Sequence, residues 1–121
     1  MEKLTKQEEE AMQVVWQTNG GFIKDFLELL PDQQLPYTTL ASTIRKLEQK
    51  GFLKSEKLGN SYRYLPLIAE KDYSKSFMRG FVSNYFKNSY KELVSFFAHE
   101  KEISAEELKE IIDMINNRKS E

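Results

Sequence analysis

Along the first half of the chain apolar residues recur at intervals of three and four, then alternate, and then return to the longer spacing. The opening Thr5-Lys6-Gln7-Glu8 sets a threonine cap three residues before a glutamate. Ala11, Val14 and Val15 follow on one face of a first helix, which Asn19-Gly20-Gly21 ends. Phe22, Ile23, Phe26, Leu27 and Leu30 mark a short second helix halted by Pro31. After the polar Asp32-Gln33-Gln34, Pro36 restarts the chain, and Leu40, Ile44 and Leu47 define the inner face of a third helix that stops at Gly51. From Phe52 to Pro66 short apolar and tyrosine-rich runs flank Leu58-Gly59-Asn60-Ser61, which predicts a β-hairpin because Gly and Asn tolerate the positive φ of a tight turn.

Beyond Ile68 the pattern is helical again. Tyr73, Phe77, Phe81 and Tyr85 fall every four residues, with Met78, Val82 and Phe86 beside them. Leu93, Val94, Phe96 and Phe97 mark another helix, and Ser104-Ala105-Glu106-Glu107 forms a second capping box ahead of Leu108, Ile111, Ile112 and Ile115. These stripes are too apolar to face water and too short to stand as free coiled coils, so packing within the fold or between subunits must cover them. Gly80 inside the long helix is consistent with close approach by another helix. The expected fold is mainly α with a small β-hairpin. It is a winged helix-turn-helix over residues 1–69, joined at the Pro66–Glu70 passage to a helical dimerisation region over residues 70–121.

Composition narrows the function classes. At 121 residues the chain is sized for one compact domain or two small coupled ones. It carries no long apolar run and no leader-like N-terminus, so a cytoplasmic protein without membrane insertion is expected. There is no cysteine and a single histidine, His99, which removes disulfides and thiolate metal sites and leaves no histidine cluster; no cofactor is expected. His99 has no nucleophile, carboxylate pair or phosphate loop to join it, and the glutamates cluster at helix starts where they complement the dipole. An enzyme is therefore not expected.

The net charge of -1 suits a nucleic-acid binder poorly until its distribution is considered. Between residues 35 and 65, Arg45, Lys46, Lys50, Lys54, Lys57 and Arg63 stand against only Glu48 and Glu56. On a helical wheel the third helix turns Thr38, Ser42, Arg45 and Gln49 away from its apolar side, flanked by Thr39 and Lys46. Short hydroxyls allow close approach to base edges, and cations pair phosphates or a guanine. The same wheel fits an ordinary solvated face. The adjoining hairpin, with Lys54, Lys57 and Arg63, favours a DNA-reading patch made of Thr38, Thr39, Ser42, Arg45, Lys46, Lys57 and Arg63. Tyr62 and Tyr64 share one strand face and are expected to pack on the third helix.

These residues carry a resemblance. Leu4 to Trp16, the run Thr39-Leu40-Ala41-Ser42-Thr43-Ile44-Arg45-Lys46-Leu47 with Lys50-Gly51, and Tyr62 to Pro66 resemble the penicillinase-repressor family of winged-helix regulators over almost the whole chain. The resemblance implies a homodimer that represses transcription from a palindromic double-stranded operator, with Thr39, Ser42 and Lys46 facing DNA and residues after Tyr73 making the dimer. The dimerisation set is then Tyr73, Phe77, Phe81, Tyr85, Leu108, Ile111, Ile112 and Ile115. In antibiotic-responsive members a membrane metalloprotease sensor triggers cleavage at an Asn-Phe bond. Aligned on Ile103-Ser104, that bond falls at Phe96–Phe97, and the Asn is missing here. Cysteine-based metal sensing, used by the copper-responsive branch, is excluded. Two alternatives stay open: a winged helix that meets a protein partner, and an effector-binding regulator whose aromatic stripe lines a ligand pocket.

Overall fold

The computed structural model describes residues 1–119. The chain runs α1 (Lys6–Thr18), α2 (Ile23–Leu29), α3 (Tyr37–Gln49), β1 (Leu53–Leu58), β2 (Ser61–Pro66), α4 (Glu70–Phe86), α5 (Tyr90–His99) and α6 (Ala105–Lys119). It divides into two compact units, the first Met1–Phe77 and the second beginning at Met78. The mainly helical winged-helix architecture read from the residue pattern is the one observed.

Each helix of the first unit ends where its sequence dictates. The capping box at Thr5 forms in full: the Glu8 amide donates to Thr5 Oγ1 at 3.2 Å and the Thr5 amide to Glu8 Oε1 at 2.9 Å. At the other end of α1, Asn19 turns left-handed and the Gly20 amide donates to the Val15 carbonyl at 3.0 Å. α3 closes in the same way, with Gly51 at φ +84° and the Phe52 amide donating to Leu47 O at 3.0 Å. β1 and β2 pair antiparallel from Leu53↔Pro66 to Leu58↔Ser61, leaving Gly59 and Asn60 as a two-residue turn with positive φ at Gly59.

Ala11, Met12 and Val15 of α1, Phe26 of α2, Leu40, Ile44 and Leu47 of α3, and Phe52 and Leu53 at the start of the hairpin form one buried core. The hairpin is fastened to it by a feature that periodicity does not announce. Gly21 and Tyr64 exchange backbone hydrogen bonds of 2.9 and 2.8 Å, so the α1–α2 turn acts as a one-residue third strand. Gly20 makes this possible: at φ +99° it sits where an added Cβ would lie 2.6 Å from the Tyr64 carbonyl oxygen. Gly20→Ala is expected to destabilise the first unit by about 1–3 kcal/mol, read as a lower urea midpoint in Trp16 fluorescence. An unchanged midpoint would mean that this bridge does not hold the hairpin.

The first unit extends into α4, past the Pro66–Glu70 boundary expected from sequence. Tyr73 is the reason. It is 9% exposed, its ring lies 5.8 Å from that of Trp16 and 5.7 Å from that of Phe52, and its hydroxyl donates to Glu9 at 3.0 Å. Burial, then the hydrogen bond to Glu9, push its phenol pKa up. Trp16 Nε1 donates to the Ile68 carbonyl at 2.8 Å, so the passage between hairpin and helix is tied down as well. Tyr73 is thus covered within its own unit.

The second unit is held by rings. Phe81 meets Tyr85 and Phe86, Phe86 meets Phe96, and Phe96 meets Phe97, with centroids 5.0–6.0 Å apart, while Val82 is fully buried. Left-handed Lys87 and Asn88 end α4, Ser89 caps α5, and Ser104 with Glu107 forms the expected capping box of α6. Phe77, Tyr85, Ile111, Ile112 and Ile115 stay exposed, and Phe81 and Leu108 are half-buried. A Cβ at Gly80 would meet nothing within 4 Å among the described residues, so no close approach there explains that glycine.

Candidate nucleic-acid interface

α3 presents one clean outward edge. Leu40, Ala41, Thr43, Ile44 and Leu47 are buried, and Thr43 spends its hydroxyl on the Thr39 carbonyl at 3.1 Å. Thr38, Ser42, Arg45, Lys46 and Gln49 are exposed and Thr39 is half-buried, so the side chains expected to face outward do so. Beside Arg45 the space between α2, α3 and the hairpin opens into a groove of about 660 Å³, lined by Lys24, Tyr37, Arg45, Asn60, Ser61 and Tyr62 among others. Glu48 also lines it, its Oε2 accepting from the Ser55 hydroxyl at 2.6 Å and so joining the end of α3 to β1.

The hairpin register separates residues that the sequence pattern groups together. Opposed residues share a face and alternate along each strand, so Ser55, Lys57, Tyr62 and Tyr64 lie on one face and Lys54, Glu56 and Arg63 on the other. Lys57 is therefore on the face that looks into the groove, whereas Arg63 is on the reverse face, directly opposite Glu56. The two tyrosines differ too. Tyr64 is 7% exposed, and burial, then Glu48, raise its pKa. Tyr62 is 50% exposed at the groove's edge, so only one of the two packs as expected. Lys24 and Tyr37 carry no signal of their own in the sequence, because the groove exists only once α2 and the hairpin converge on α3.

On the other side of α3 a second cleft, of about 530 Å³, is lined by Thr5, Lys6, Gln7, Glu8, Thr43, Lys46 and Lys50. Its floor is the one ion pair among the described residues, Lys50 Nζ to Glu8 Oε1 at 2.8 Å, with Glu8 only 3% exposed. Burial alone would raise the Glu8 pKa, but hydrogen bonds from Lys50 and Thr5 outweigh it and hold the carboxyl below its ordinary value. A carboxyl with a depressed folded pKa contributes stability above its unfolded pKa and loses it as pH falls through the folded one. Lys50→Ala leaves the carboxylate buried with Oε2 already unpartnered, and is expected to destabilise the unit by about 1–3 kcal/mol near neutrality. The difference from the parent should shrink as pH falls through the lowered folded pKa of Glu8, until the carboxyl is protonated in both; a pH-independent difference would exclude the ion pair as its source.

Three helices with a hairpin wing and an outward basic recognition edge define a winged-helix DNA-binding module. The chain belongs to the penicillinase repressor family, whose model matches residues 4–117. It is 22% identical over 117 residues to the methicillin resistance regulatory protein MecI of Mammaliicoccus sciuri, covering 96% of this chain and 95% of that one. It is 25% identical over 119 residues to the penicillinase repressor of Bacillus licheniformis, covering 98% and 93%. Among solved structures, the DNA-binding domain of the repressor BlaI matches with a TM-score of 0.51 and 27% identity over 60% of this chain and 94% of that domain. Among the described residues no helix is long and apolar enough to cross a membrane, and no group of acidic or histidine side chains is placed to hold a metal.

Proposed function

We propose that this chain is a cytoplasmic transcriptional repressor that binds a pseudo-palindromic operator as a dimer, setting α3 of each protomer in a major groove. The observation that carries the reading is the outward edge of α3, where Thr38, Ser42, Arg45 and Lys46 are exposed together beside a hairpin that bears Lys57 on its groove-facing side. Thr38, Thr39 and Ser42 would meet bases and nearby phosphates, Arg45 and Lys46 phosphates or a guanine, and Lys57 and Arg63 the flanking backbone. Dimerisation through α4 and α6 would cover Phe77, Phe81, Tyr85, Leu108, Ile111, Ile112 and Ile115, several of which are apolar and exposed in the single chain. Tyr73, already buried against Trp16 and Phe52, is left out of that surface.

Release by a membrane metalloprotease sensor acting at Phe96–Phe97 belongs to the same reading by family resemblance. That bond lies inside α5, so a protease that takes its substrate in extended form must first open the helix.

Fluorescence anisotropy of the full chain tests the reading, using duplex from its own promoter region and scrambled duplex over a range of salt. Tight, sequence-selective and salt-sensitive binding is expected. Arg45→Ala should cost about 1–3 kcal/mol if Arg45 reads a guanine. Lys46→Ala should weaken binding to every sequence and lower the salt slope by about 1 for each phosphate it ceases to neutralise. Salt-insensitive or absent binding would point instead to a protein partner for the same face.

A further inference from the structure

Arg45 and Lys46 are neighbours in sequence but enter different clefts. Arg45 lines the groove between α3 and the wing together with Lys24, Tyr37 and Tyr62. Lys46 lines the cleft between α3 and the start of α1 together with Lys6 and Lys50. The separation follows from helix geometry, since consecutive side chains project about 100° apart. Among the described residues Lys6, Lys24, Arg45 and Lys46 have no ion-pair partner, and the hydroxyls of Tyr37 and Tyr62 have no hydrogen-bond partner. Both tyrosines are nonetheless half exposed beside cations. The one anion in the second cleft, Glu8, is already matched by Lys50; Glu48, in the first, accepts from Ser55.

A major groove is about 12 Å wide and an α-helix with its side chains about 10–12 Å across, so a seated helix has one sugar-phosphate strand on each side. The two clefts flank α3 in that same arrangement. We propose that they are a two-sided phosphate clamp: within one half-site, Lys24 with Tyr37 and Tyr62 holds the backbone of one strand, and Lys6 with Lys46 holds the backbone of the other. This rests on the DNA-binding reading above and adds Lys6, Lys24, Tyr37 and Tyr62 to its contacts. The ligand at each cleft is a phosphodiester with its sugar, not a base, so these residues set affinity and register and carry little sequence preference. The phenol hydroxyls donate to phosphate oxygens, and the Tyr62 ring can lie against a deoxyribose.

The test uses the full chain on duplex from its own promoter region and on scrambled duplex. Lys6→Ala and Lys24→Ala remove exposed side chains and should leave the circular dichroism spectrum unchanged. Each is expected to lower the slope of log affinity against log salt by about 0.9 for each phosphate left unneutralised per protomer, equally on both duplexes. Tyr62→Phe should weaken binding to both duplexes to the same degree, and Lys91→Ala, on α5, should change neither slope nor affinity. Neutral methylphosphonate links placed on one strand of one half-site then separate the two clefts. Lys24→Ala should lose sensitivity to the substitution on one strand and Lys6→Ala on the other. The clamp is overturned if either variant keeps the parent slope, or if both lose sensitivity on the same strand while the Arg45→Ala and Lys46→Ala effects persist, which leaves the repressor reading standing. A parent protein with no salt-dependent duplex binding overturns both.

Discussion

Replacing Phe52 by alanine is expected to remove about 3–5 kcal/mol from the stability of the winged-helix unit, a large share of the roughly 5–15 kcal/mol that holds a domain folded. Phe52 is fully buried where three parts of the fold meet. Its amide closes the end of α3 on Leu47, its carbonyl accepts from Leu67 at 2.8 Å, and its ring packs edge-on against Tyr73. Truncation leaves a void lined by Tyr73 and the start of β1, both fixed by other bonds and therefore slow to collapse into it. Trp16 supplies the readout: it is the chain's single tryptophan and packs at a tilt against Tyr73 inside the same unit. Urea unfolding followed by its fluorescence should show the midpoint drop, whereas Leu58→Ala at the exposed end of β1 should shift it by less than about 0.5 kcal/mol. A loss below about 1 kcal/mol for Phe52→Ala would mean that this junction is not where the unit is held together.

The elements that could be read from sequence are those whose signal is local. Thr5 with Glu8 and Ser104 with Glu107 are capping boxes that any helix start would use, and both form. Pro31, Gly51 and the Gly59-Asn60 turn stop or reverse the chain for reasons contained in those residues. The outward edge of α3 was equally legible, because a 3.6-residue period and the burial of Leu40, Ile44 and Leu47 determine which side remains for Ser42 and Arg45.

What escaped the sequence depends on residues far apart in the chain. The Gly21–Tyr64 bridge, the Glu8–Lys50 pair and the Tyr73–Glu9 hydrogen bond each join separated segments, and none leaves a periodic trace. Tyr73 continues the four-residue stripe of Phe77, Phe81 and Tyr85, so periodicity alone placed it with them. Its partners Trp16 and Phe52 assign it to the winged-helix core. The opposite faces of Lys57 and Arg63 follow from the register Lys57↔Tyr62 and Glu56↔Arg63, which was recoverable once the two-residue turn had been placed. Lys6 and Lys24 lie on α1 and α2, and only packing brings them to the flanks of α3, where Tyr37 opens the helix.

The double variant Ile112→Glu with Ile115→Glu is expected to convert the proposed dimer to a monomer and to weaken operator binding by about 10²–10⁴-fold without unfolding the first unit. Both isoleucines are exposed on α6, at 55% and 48%, so glutamate meets no steric obstacle in the single chain and suits a helix. In a dimer the same positions would bury two unpaired carboxylates per protomer against apolar neighbours, which association cannot offset. Sedimentation velocity should show the lower mass. The loss in affinity arises because the second α3 no longer binds as a tethered partner at high effective concentration; each half-site is then held only by the residues of one protomer. Trp16 fluorescence should follow the parent's urea curve, since neither residue belongs to the unit it reports on. A monomer that bound the operator as tightly as the parent would exclude a bivalent mechanism, and a dimer that survived both substitutions would move the interface away from this face of α6, leaving α4 with Phe77 and Tyr85 as the surface to test next.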